Sequence, residues 1–229
     1  HAAKDRPASL FVYVRPFLVQ TETDLIVIDT GLGYENEHGE LYLHAHIRDA
    51  GFSPDDVSLV LMSHLHFDHS GGMVQKSDGR IVLSFPNAEY VIQRGEWEAA
   101  YSKPSASYHT DIFDLVQRSG SIRFVEGNGQ LNKNIRFEVS GGHTEFHQVF
   151  MIEESGETLF FGGDVVPEPE QLIRKFMAKY DFNPRKTMEL REAYGKQAAE
   201  GNWTCLYYHA KSKPFSKVAL TDSGFQILS

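Results

Sequence analysis

Residues 63–72 read SHLHFDHSGG, and they place three histidines and an aspartate within six positions. Imidazole and carboxylate groups are the usual protein ligands of zinc and related divalent ions. His64 and His66 directly follow VSLVLMS (57–63), an apolar run that is typical of a buried strand. The stretch therefore predicts a metal site in the loop that leaves this strand.

Other polar side chains also stand directly after predicted strands. LIVI precedes Asp29, RFEVSGG precedes His143, TLFFGG precedes Asp164, and CLYY precedes His209. In layered α/β folds, ligands and catalytic groups collect where loops leave the strand ends. If these ends share one edge, the four side chains converge with the 64–69 cluster on one pocket. A carboxylate such as Asp164 can then bridge two metal ions that lie roughly 3.5–4 Å apart.

The composition limits the classes of function. The chain has 229 residues, of which 41% are hydrophobic, so it can bury a sizeable core. Its net charge of −9 disfavours nucleic-acid binding, and no apolar run approaches the roughly 18 residues of a membrane span. The one cysteine, Cys205, excludes an intramolecular disulfide and a multi-cysteine metal site. We expect a cytoplasmic location, while a leader removed before residue 1 stays an open alternative.

Strand patterns outnumber helix patterns along the chain. The predicted strands cover residues 10–19, 25–28, 57–63, 81–85, 89–93, 122–125, 135–140, 149–154, 158–162, 203–209, 217–220 and 225–228. Helices are predicted over 39–51 and 184–200, with a helical or irregular segment over 94–118. The strands form two groups, 10–93 and 122–162, each followed by helices, which indicates layered sheets with helices outside. No repeat or linker divides the chain, so we expect a single domain over residues 1–229.

Three further histidines could be ligands by residue type. His44 and His46 lie in a predicted helix, where side chains two positions apart diverge in direction. We therefore expect them to be solvated or partly buried helix residues. His147 follows His143 by four positions, and we expect a structural role near the ligands.

The H-x-H-x-D-H core and its strand-terminal partners resemble the metallo-β-lactamase fold superfamily. The resemblance runs from the Asp29-Thr30-Gly31 turn to His209 and the final strands. It implies an α+β fold, a four-layer αβ/βα sandwich of two facing mixed β-sheets with helices on the outer sides. The H-x-H-x-D-H motif is specific for the superfamily but not for a substrate.

The resemblance also implies a ligand set of seven side chains for two divalent metal ions. The ligands would be His64, His66 and His143 for the first ion, Asp68, His69 and His209 for the second, and Asp164 as the bridge. Asp29 would orient the metal-site loops by hydrogen bonds. We expect zinc as the metal, with manganese, cobalt and iron as alternatives, because histidine and aspartate sites accept all four.

The helix at 184–200 and the strand ending in Tyr-Tyr-His look like the branch of acyl-homoserine lactonases and organophosphate hydrolases. This implies a hydrolase in which a metal-bridging hydroxide attacks a small ester or lactone. Asp68 or Asp164 would be the catalytic carboxylate that accepts the proton. The alternatives are a phosphotriesterase or phosphodiesterase at the same site, a mononuclear iron persulfide dioxygenase, and a non-catalytic metal-stabilised binding protein. The expected partner is a small-molecule substrate, with a homodimer as an open option.

Overall fold

The computed structural model describes residues 12–103 and 105–228, and most of its strands belong to two sheets. In chain order the strands are β1 (Phe17–Gln20), β2 (Leu25–Ile28), β3 (Leu59–Leu61), β4 (Val74–Ser77), β5 (Arg80–Leu83), β6 (Glu89–Gln93), β7 (Ile122–Val125), β8 (Gly129–Gln130), β9 (Ile135–Val139), β10 (Gln148–Glu154), β11 (Glu157–Phe161), β12 (Thr204–Leu206), β13 (Phe215–Ser216), β14 (Val218–Thr221) and β15 (Gly224–Ile227). The helices are α1 (Tyr42–Asp49), α2 (Phe67–Ser70), α3 (Arg94–Ser102), α4 (Thr110–Ser119), α5 (Glu170–Ile173) and α6 (Pro184–Glu200).

Both sheets mix parallel and antiparallel pairs. The first sheet has the order β1-β2-β3-β6-β7, in which only β1 is antiparallel to its neighbour. The second sheet has the order β13-β12-β11-β10-β9-β8, and its one parallel pair is β11 with β12. The β4–β5 and β14–β15 pairs form separate antiparallel hairpins.

Three hydrophobic cores separate four layers. Ile26 and Leu61 of the first sheet share a buried cluster with Phe150 of the second, so the two sheets face each other. Because successive side chains of a strand point to opposite faces, Val27 and Met151 face outward. Val27 packs with residues of α1, α3 and α4, and Met151 packs with residues of α6. The predicted sandwich of two facing mixed sheets with helices outside is confirmed.

Helix α6 begins as its sequence predicts. The Asn183 side chain accepts a hydrogen bond from the Lys186 N–H at 3.1 Å, and Pro184 occupies the first turn, where its missing N–H costs nothing. Gly201 caps the carboxyl end of the helix. Among the described residues, none of the helices is both long enough and apolar enough to cross a membrane.

The predicted division into strand groups 10–93 and 122–162 is wrong at one strand. β7 lies in the first sheet, parallel to β6. Parallel neighbours need a crossover of about a dozen residues or more, and α3 and α4 provide it. The predicted strands 81–85 and 89–93 also lie in different sheets, because β5 pairs with β4 while β6 enters the first sheet.

Several predicted elements are shorter than expected, among them the strand predicted over 57–63, which spans Leu59–Leu61. The strand predicted over 10–19 is observed at Phe17–Gln20, and residues 10 and 11 lie outside the described part of the chain. The predicted helix 39–51 spans Tyr42–Asp49. In the run 203–209 the strand ends at Leu206, which leaves the last three residues free to turn toward the sheet edge.

Candidate metal centre

The predicted site residues lie at one edge of the two sheets. Asp29 follows β2 and His64 follows β3, its parallel neighbour. In the second sheet β9, β11 and β12 run in the same direction, since β9 and β11 are both antiparallel to β10 and β12 is parallel to β11. His143, Asp164 and His209 follow these three strands. The structure thus brings together the strand-terminal side chains that the sequence singled out.

All seven predicted ligands belong to three overlapping groups. In each group the potential ligand atoms lie within 4.8 Å of one another. The groups are His64, His66 and His143; His64, His69 and Asp164; and Asp68, His69 and His209. Because His64 and His69 each belong to two groups, the three groups form one continuous centre.

Asp164 lies between histidines of both predicted subsites. Its Oδ1 is 3.1 Å from His69 Nε2 and 3.0 Å from His209 Nε2, and its Oδ2 is 3.2 Å from His143 Nε2. Asp68 is more peripheral, with its Oδ2 3.6 Å from His209 Nε2 and 3.7 Å from His69 Nε2. Asp164 therefore has the position that a bridging carboxylate requires.

Four of the histidines are held through Nδ1, and in three of them, His69, His143 and His209, Nε2 is the nitrogen that faces Asp164. The distances are 3.1 Å from His64 to Ser63 Oγ, 2.7 Å from His69 to Asp29 Oδ2, 2.9 Å from His143 to Asp181 Oδ1, and 2.5 Å from His209 to Tyr13 O. An acceptor at Nδ1 keeps the proton there and leaves the lone pair of Nε2 available. This is the tautomer in which imidazole binds a cation.

Several polar atoms at the centre lack a hydrogen-bond partner among the described residues. They include the buried Nε2 atoms of His64 and His69. Asp164 Oδ1 is another, because its contacts with the ring nitrogens of His69 and His209 lack hydrogen-bond geometry. By contrast, His66 Nδ1 and His143 Nε2 lie 3.1 Å apart as a hydrogen-bonded pair in which one of the two nitrogens carries the proton. Burying polar atoms without partners costs about 1–3 kcal/mol each. Divalent cations would satisfy these atoms together, so the residues present fit a metal centre.

Asp29 orients two of these histidines at once. Its Oδ1 accepts the Ser63 N–H, and its Oδ2 accepts the Ser63 hydroxyl and the His69 Nδ1–H, each at 2.7 Å. Because the Ser63 hydroxyl donates to Asp29, its oxygen is free to accept the Nδ1–H of His64 at 3.1 Å. Asp29 thus orients His69 directly and His64 through Ser63.

The pKa directions divide the histidines of the centre into two kinds. Burial, together with the neighbouring histidines, lowers the pKa of His64 well below its ordinary value and lowers the pKa of His66 to about 3. Burial opposes protonation of His69, but the Asp164 carboxylate outweighs it and raises the His69 pKa. Burial likewise opposes ionisation of Asp164, yet nearby histidines, His209 first, hold its pKa well below the usual value. Burial opposes protonation of His209 as well, but Asp164 raises its pKa. Without a metal, the ionised Asp164 therefore has neutral imidazoles at His64 and His66 and is paired with protonated His69 and His209. A bound cation would take the place of the protons on these last two rings.

Glu96 belongs to no sequence motif, yet it connects the two loops that contain the predicted ligands His64, His66 and His143. Its carboxylate is 1% exposed and accepts hydrogen bonds from Thr144 Oγ1 at 2.6 Å, Tyr108 OH at 3.0 Å and Leu65 N at 3.2 Å. Leu65 stands between His64 and His66, and Thr144 follows His143. One buried carboxylate therefore fixes the separation of these two loops.

Tyr208 and His147 also support the ligands. The Tyr208 ring stacks on His69 with centroids 4.0 Å apart, and its hydroxyl donates to Asp68 O at 2.7 Å. His147 Nε2 accepts the Asp164 N–H at 3.1 Å, which confirms the expected structural role.

The two helix histidines differ from each other. His46 is exposed, as the helical spacing predicts, but His44 is buried with its ring edge against Phe85. The expectation of a solvated or partly buried His44 is therefore wrong, because α1 turns that face toward the core.

Access to the centre is from the side of Asp68, whose side chain is 36% exposed. A separate cavity of about 440 Å³ lies beside the loop that follows β2, lined in part by Thr30, Tyr34, Tyr42 and His46. None of the seven predicted ligands lines this cavity. A substrate at the centre would therefore approach from the exposed side of Asp68 and not through this cavity.

Sequence comparisons match most of the chain to known proteins. The sequence model of the Metallo-beta-lactamase superfamily matches residues 11–209. An N-acyl homoserine lactonase of Bacillus cereus is 25% identical over 156 residues, 60% of this chain and 57% of that protein. The N-acyl homoserine lactonase AttM of Rhizobium johnstonii is 41% identical over 187 residues, 73% of this chain and 66% of that protein. The chain spans less than two thirds of the length of these curated relatives.

Solved structures share the fold. A probable metal-dependent hydrolase from Staphylococcus aureus has a TM-score of 0.80 at 23% identity, covering 93% of this chain and 80% of that chain. The hydrolase AbOPH in the beta lactamase superfamily has a TM-score of 0.79 at 22% identity, covering 98% and 81%. AidC, a dizinc quorum-quenching lactonase, has a TM-score of 0.72 at 22% identity, covering 94% and 78%.

Proposed function

Because the chain belongs to the metallo-β-lactamase superfamily, we propose that it is a dinuclear metal-dependent hydrolase of small lactones or esters. The observation that carries this proposal is the position of Asp164, whose two oxygens lie 3.0–3.2 Å from His69, His143 and His209. His143 belongs to the first predicted subsite, and His69 and His209 belong to the second. A single ion would need the histidines of only one subsite. The N-acyl homoserine lactonases among the relatives support a lactone as the substrate.

The seven ligands divide between two ions in this proposal. His64, His66 and His143 would hold the first ion, Asp68, His69 and His209 the second, and Asp164 both. Zinc is the first candidate, because histidine and carboxylate suit it and AidC is described as dizinc. When bound, such ions lower the pKa of water toward about 7 and polarise a carbonyl oxygen. Since both sheets contribute ligands to one centre, we also propose that residues 1–229 form a single domain.

Asp68 is the carboxylate that we assign to proton transfer. Its side chain is 36% exposed, whereas that of Asp164 is 11% exposed and faces three histidines. A general base must reach the proton it accepts, so the carboxylate nearest the substrate side suits this role. Asp164 acts in the same proposal as the fixed bridge that sets the spacing of the two subsites.

Aromatic side chains lie next to His143 at the exposed side of the centre. Tyr180 lies 5.9 Å from His143 between ring centroids and is 57% exposed, and Phe182 is 60% exposed. The nearby Lys103 ammonium is paired with the Glu145 carboxylate. These aromatic side chains can contact the apolar part of an ester or lactone.

A mononuclear iron dioxygenase is the second candidate. The Asp68, His69 and His209 group would suffice for its iron, but the side chains beside that group argue against it. Such a centre uses two histidines and one carboxylate with open positions for oxygen. Here a further histidine and a further carboxylate lie beside that minimum set, within 4.8 Å of His69.

Elemental analysis of gently purified protein tests the proposal. We expect about two zinc-like ions per chain, together with hydrolysis of an N-acyl homoserine lactone or a simple aryl ester. Asp164→Ala should lower both the metal content and the hydrolysis, while the exposed Glu189→Gln should change neither. About one iron per chain, with oxygen consumption and no hydrolysis, would overturn the proposal in favour of the dioxygenase.

A further inference from the structure

A buried ion pair lies behind the metal centre. Arg191 of α6 is 2% exposed and Asp181 is 7% exposed, and Arg191 Nη2 lies 3.8 Å from Asp181 Oδ2. Charged side chains are rarely so buried unless they are paired. These two atoms make no hydrogen bond with the described residues, so the remaining atoms of each side chain must explain why the pair is there.

Asp181 is tied to the loop that carries His143. Its Oδ1 lies 2.9 Å from His143 Nδ1. The next two backbone N–H groups, of Phe182 and Asn183, donate to His143 O at 2.8 Å and Gly142 O at 2.9 Å. Three hydrogen bonds therefore attach the segment that leads into α6 to the Gly142–His143 loop.

Arg191 is tied to the turn that carries Asp164. Its Nε donates to Val165 O at 2.6 Å, and its Nη1 donates to Phe176 O at 2.7 Å. Val165 directly follows Asp164 within the same short 3-10 turn. One guanidinium thus connects the Asp164 turn with the segment that contains Phe176.

Residues 173–182, which we call the rim segment, are poorly anchored by packing. Five large apolar side chains of this segment are each 45% or more exposed: Ile173, Phe176, Met177, Tyr180 and Phe182. Because exposed side chains contribute little hydrophobic stabilisation, the position of the segment depends on its contacts with His143 and Arg191.

We propose that Asp181 and Arg191 are positioning residues that couple metal binding at His143 and Asp164 to the position of the rim segment. This inference rests on the proposed function, because it requires a metal at the centre. A cation on His143 Nε2 keeps the proton on Nδ1, where it is donated to Asp181. Coupling of this kind is reciprocal, so the Asp181–Arg191 pair that holds the rim segment also strengthens metal binding.

Limited trypsin digestion of the full chain, followed by mass spectrometry, tests the coupling. Trypsin can cleave the rim segment after Arg174, Lys175 and Lys179, and it can cleave after Lys133 in the loop before β9 as an internal reference. We expect zinc to slow cleavage of the rim segment by about tenfold. Cleavage after Lys133 should not respond to zinc.

Substitutions at the ion pair identify its part in this protection. In Asp181→Asn we expect zinc to bind about 10–100-fold more weakly and, at saturating zinc, to leave the rim segment as cleavable as in the metal-free protein. Arg191→Met should also lose the protection. Arg191→Lys, which keeps the charge but not the planar fork of donors, should restore it only in part.

The matched control is Arg94→Met, which removes an exposed arginine–carboxylate pair, 2.7 Å from Arg94 Nε to Glu126 Oε1, and should behave as the wild type. Zinc binding by the wild type without protection of the rim segment would overturn the inference and leave the proposed function standing. Equal protection of the wild type and both neutral variants would overturn it as well. Failure of the wild type to bind any metal would overturn both proposals.

Discussion

Replacing Glu96 with alanine removes three hydrogen-bond acceptor contacts at once, and the cost can be worked out from the partners. The donors are Thr144 Oγ1 at 2.6 Å, Tyr108 OH at 3.0 Å and Leu65 N at 3.2 Å. Thr144 and Leu65 are buried, so their donors lose access to any acceptor, whereas the partly exposed Tyr108 can reach water. At about 1–3 kcal/mol for each of the two buried donors left unpaired, we expect a loss of about 2–6 kcal/mol in unfolding free energy.

Glutamine at the same position should cost much less. Its amide oxygen can accept from Leu65 N and Tyr108 OH, and its NH₂ group can donate to the Thr144 hydroxyl, which reverses its direction. The expected loss is about 1 kcal/mol. The difference between the two variants therefore measures the hydrogen bonds of Glu96 and not its charge.

The pH dependence gives a second readout with a definite sign. Burial raises the pKa of Glu96, although hydrogen bonds from Thr144 and its other donors oppose the shift. The folded protein therefore binds the proton more tightly than the unfolded chain, whose glutamate pKa is about 4.3. This stabilisation is complete below the unfolded value and is lost as pH rises through the folded value. Since glutamine does not titrate, Glu96→Gln should cost more near pH 4 than near pH 7.

Urea unfolding of the chelated proteins provides the assay, because removing the metal separates loop stability from metal affinity. The exposed Glu98→Ala, on the same helix, is the control and should stay within about 0.5 kcal/mol of the wild type. A Glu96→Ala variant within 1 kcal/mol of the wild type, or a glutamine variant as unstable as the alanine variant, would refute the reasoning.

Two further substitutions test the groups that orient the histidines. Asp29→Asn tolerates the same left-handed backbone, φ +52°, but places an NH₂ group against the donors of Ser63 or His69. We expect about 10–100-fold weaker zinc binding in a competition titration with a chromogenic chelator, and unchanged affinity would contradict the role of Asp29. Tyr208→Phe keeps the stacked ring on His69 but loses the hydrogen bond to Asp68 O, so chemical denaturation should show a loss of about 1 kcal/mol. A Tyr208→Leu variant that is no less stable than Tyr208→Phe would show that the stacking contributes nothing.

The side chains of the candidate metal centre could be predicted from the sequence because each follows a strand or belongs to one short motif. Of the groups that orient them, Asp29 and His147 lie near the motifs, and the distant ones could not be predicted in the same way. Asp181 reaches His143 across 38 positions, Glu96 reaches Thr144 across 48, and Arg191 reaches Val165 across 26. No local spacing marks such contacts, because they exist only after α3 and α6 have packed against the sheets.

Strand pairing shows the same limit at the level of the fold. IVLSF and EYVIQ have similar apolar patterns, so their composition does not distinguish a hairpin strand from a strand of the first sheet. The turn between β4 and β5 carries the missing signal, since Asp78 and Gly79 both have positive φ, 49° and 73°. Asp-Gly between two strands is a strong hairpin indicator, and it could have identified β4 as the partner of β5.

The two carboxylates that orient histidines lie in different surroundings, and this has a consequence for specificity. Asp29 is fully buried behind the loop after β2 and contacts Ser63 and His69, away from the substrate side. Asp181 belongs to the exposed rim segment and contacts His143 from there. A change of rim side chains can therefore alter the substrate preference while Asp29 keeps one half of the centre intact. A change that displaces Asp181 alters the rim and the metal affinity together. Substrate preference and metal affinity can therefore change independently on the Asp29 side of the centre, but they are linked on the Asp181 side.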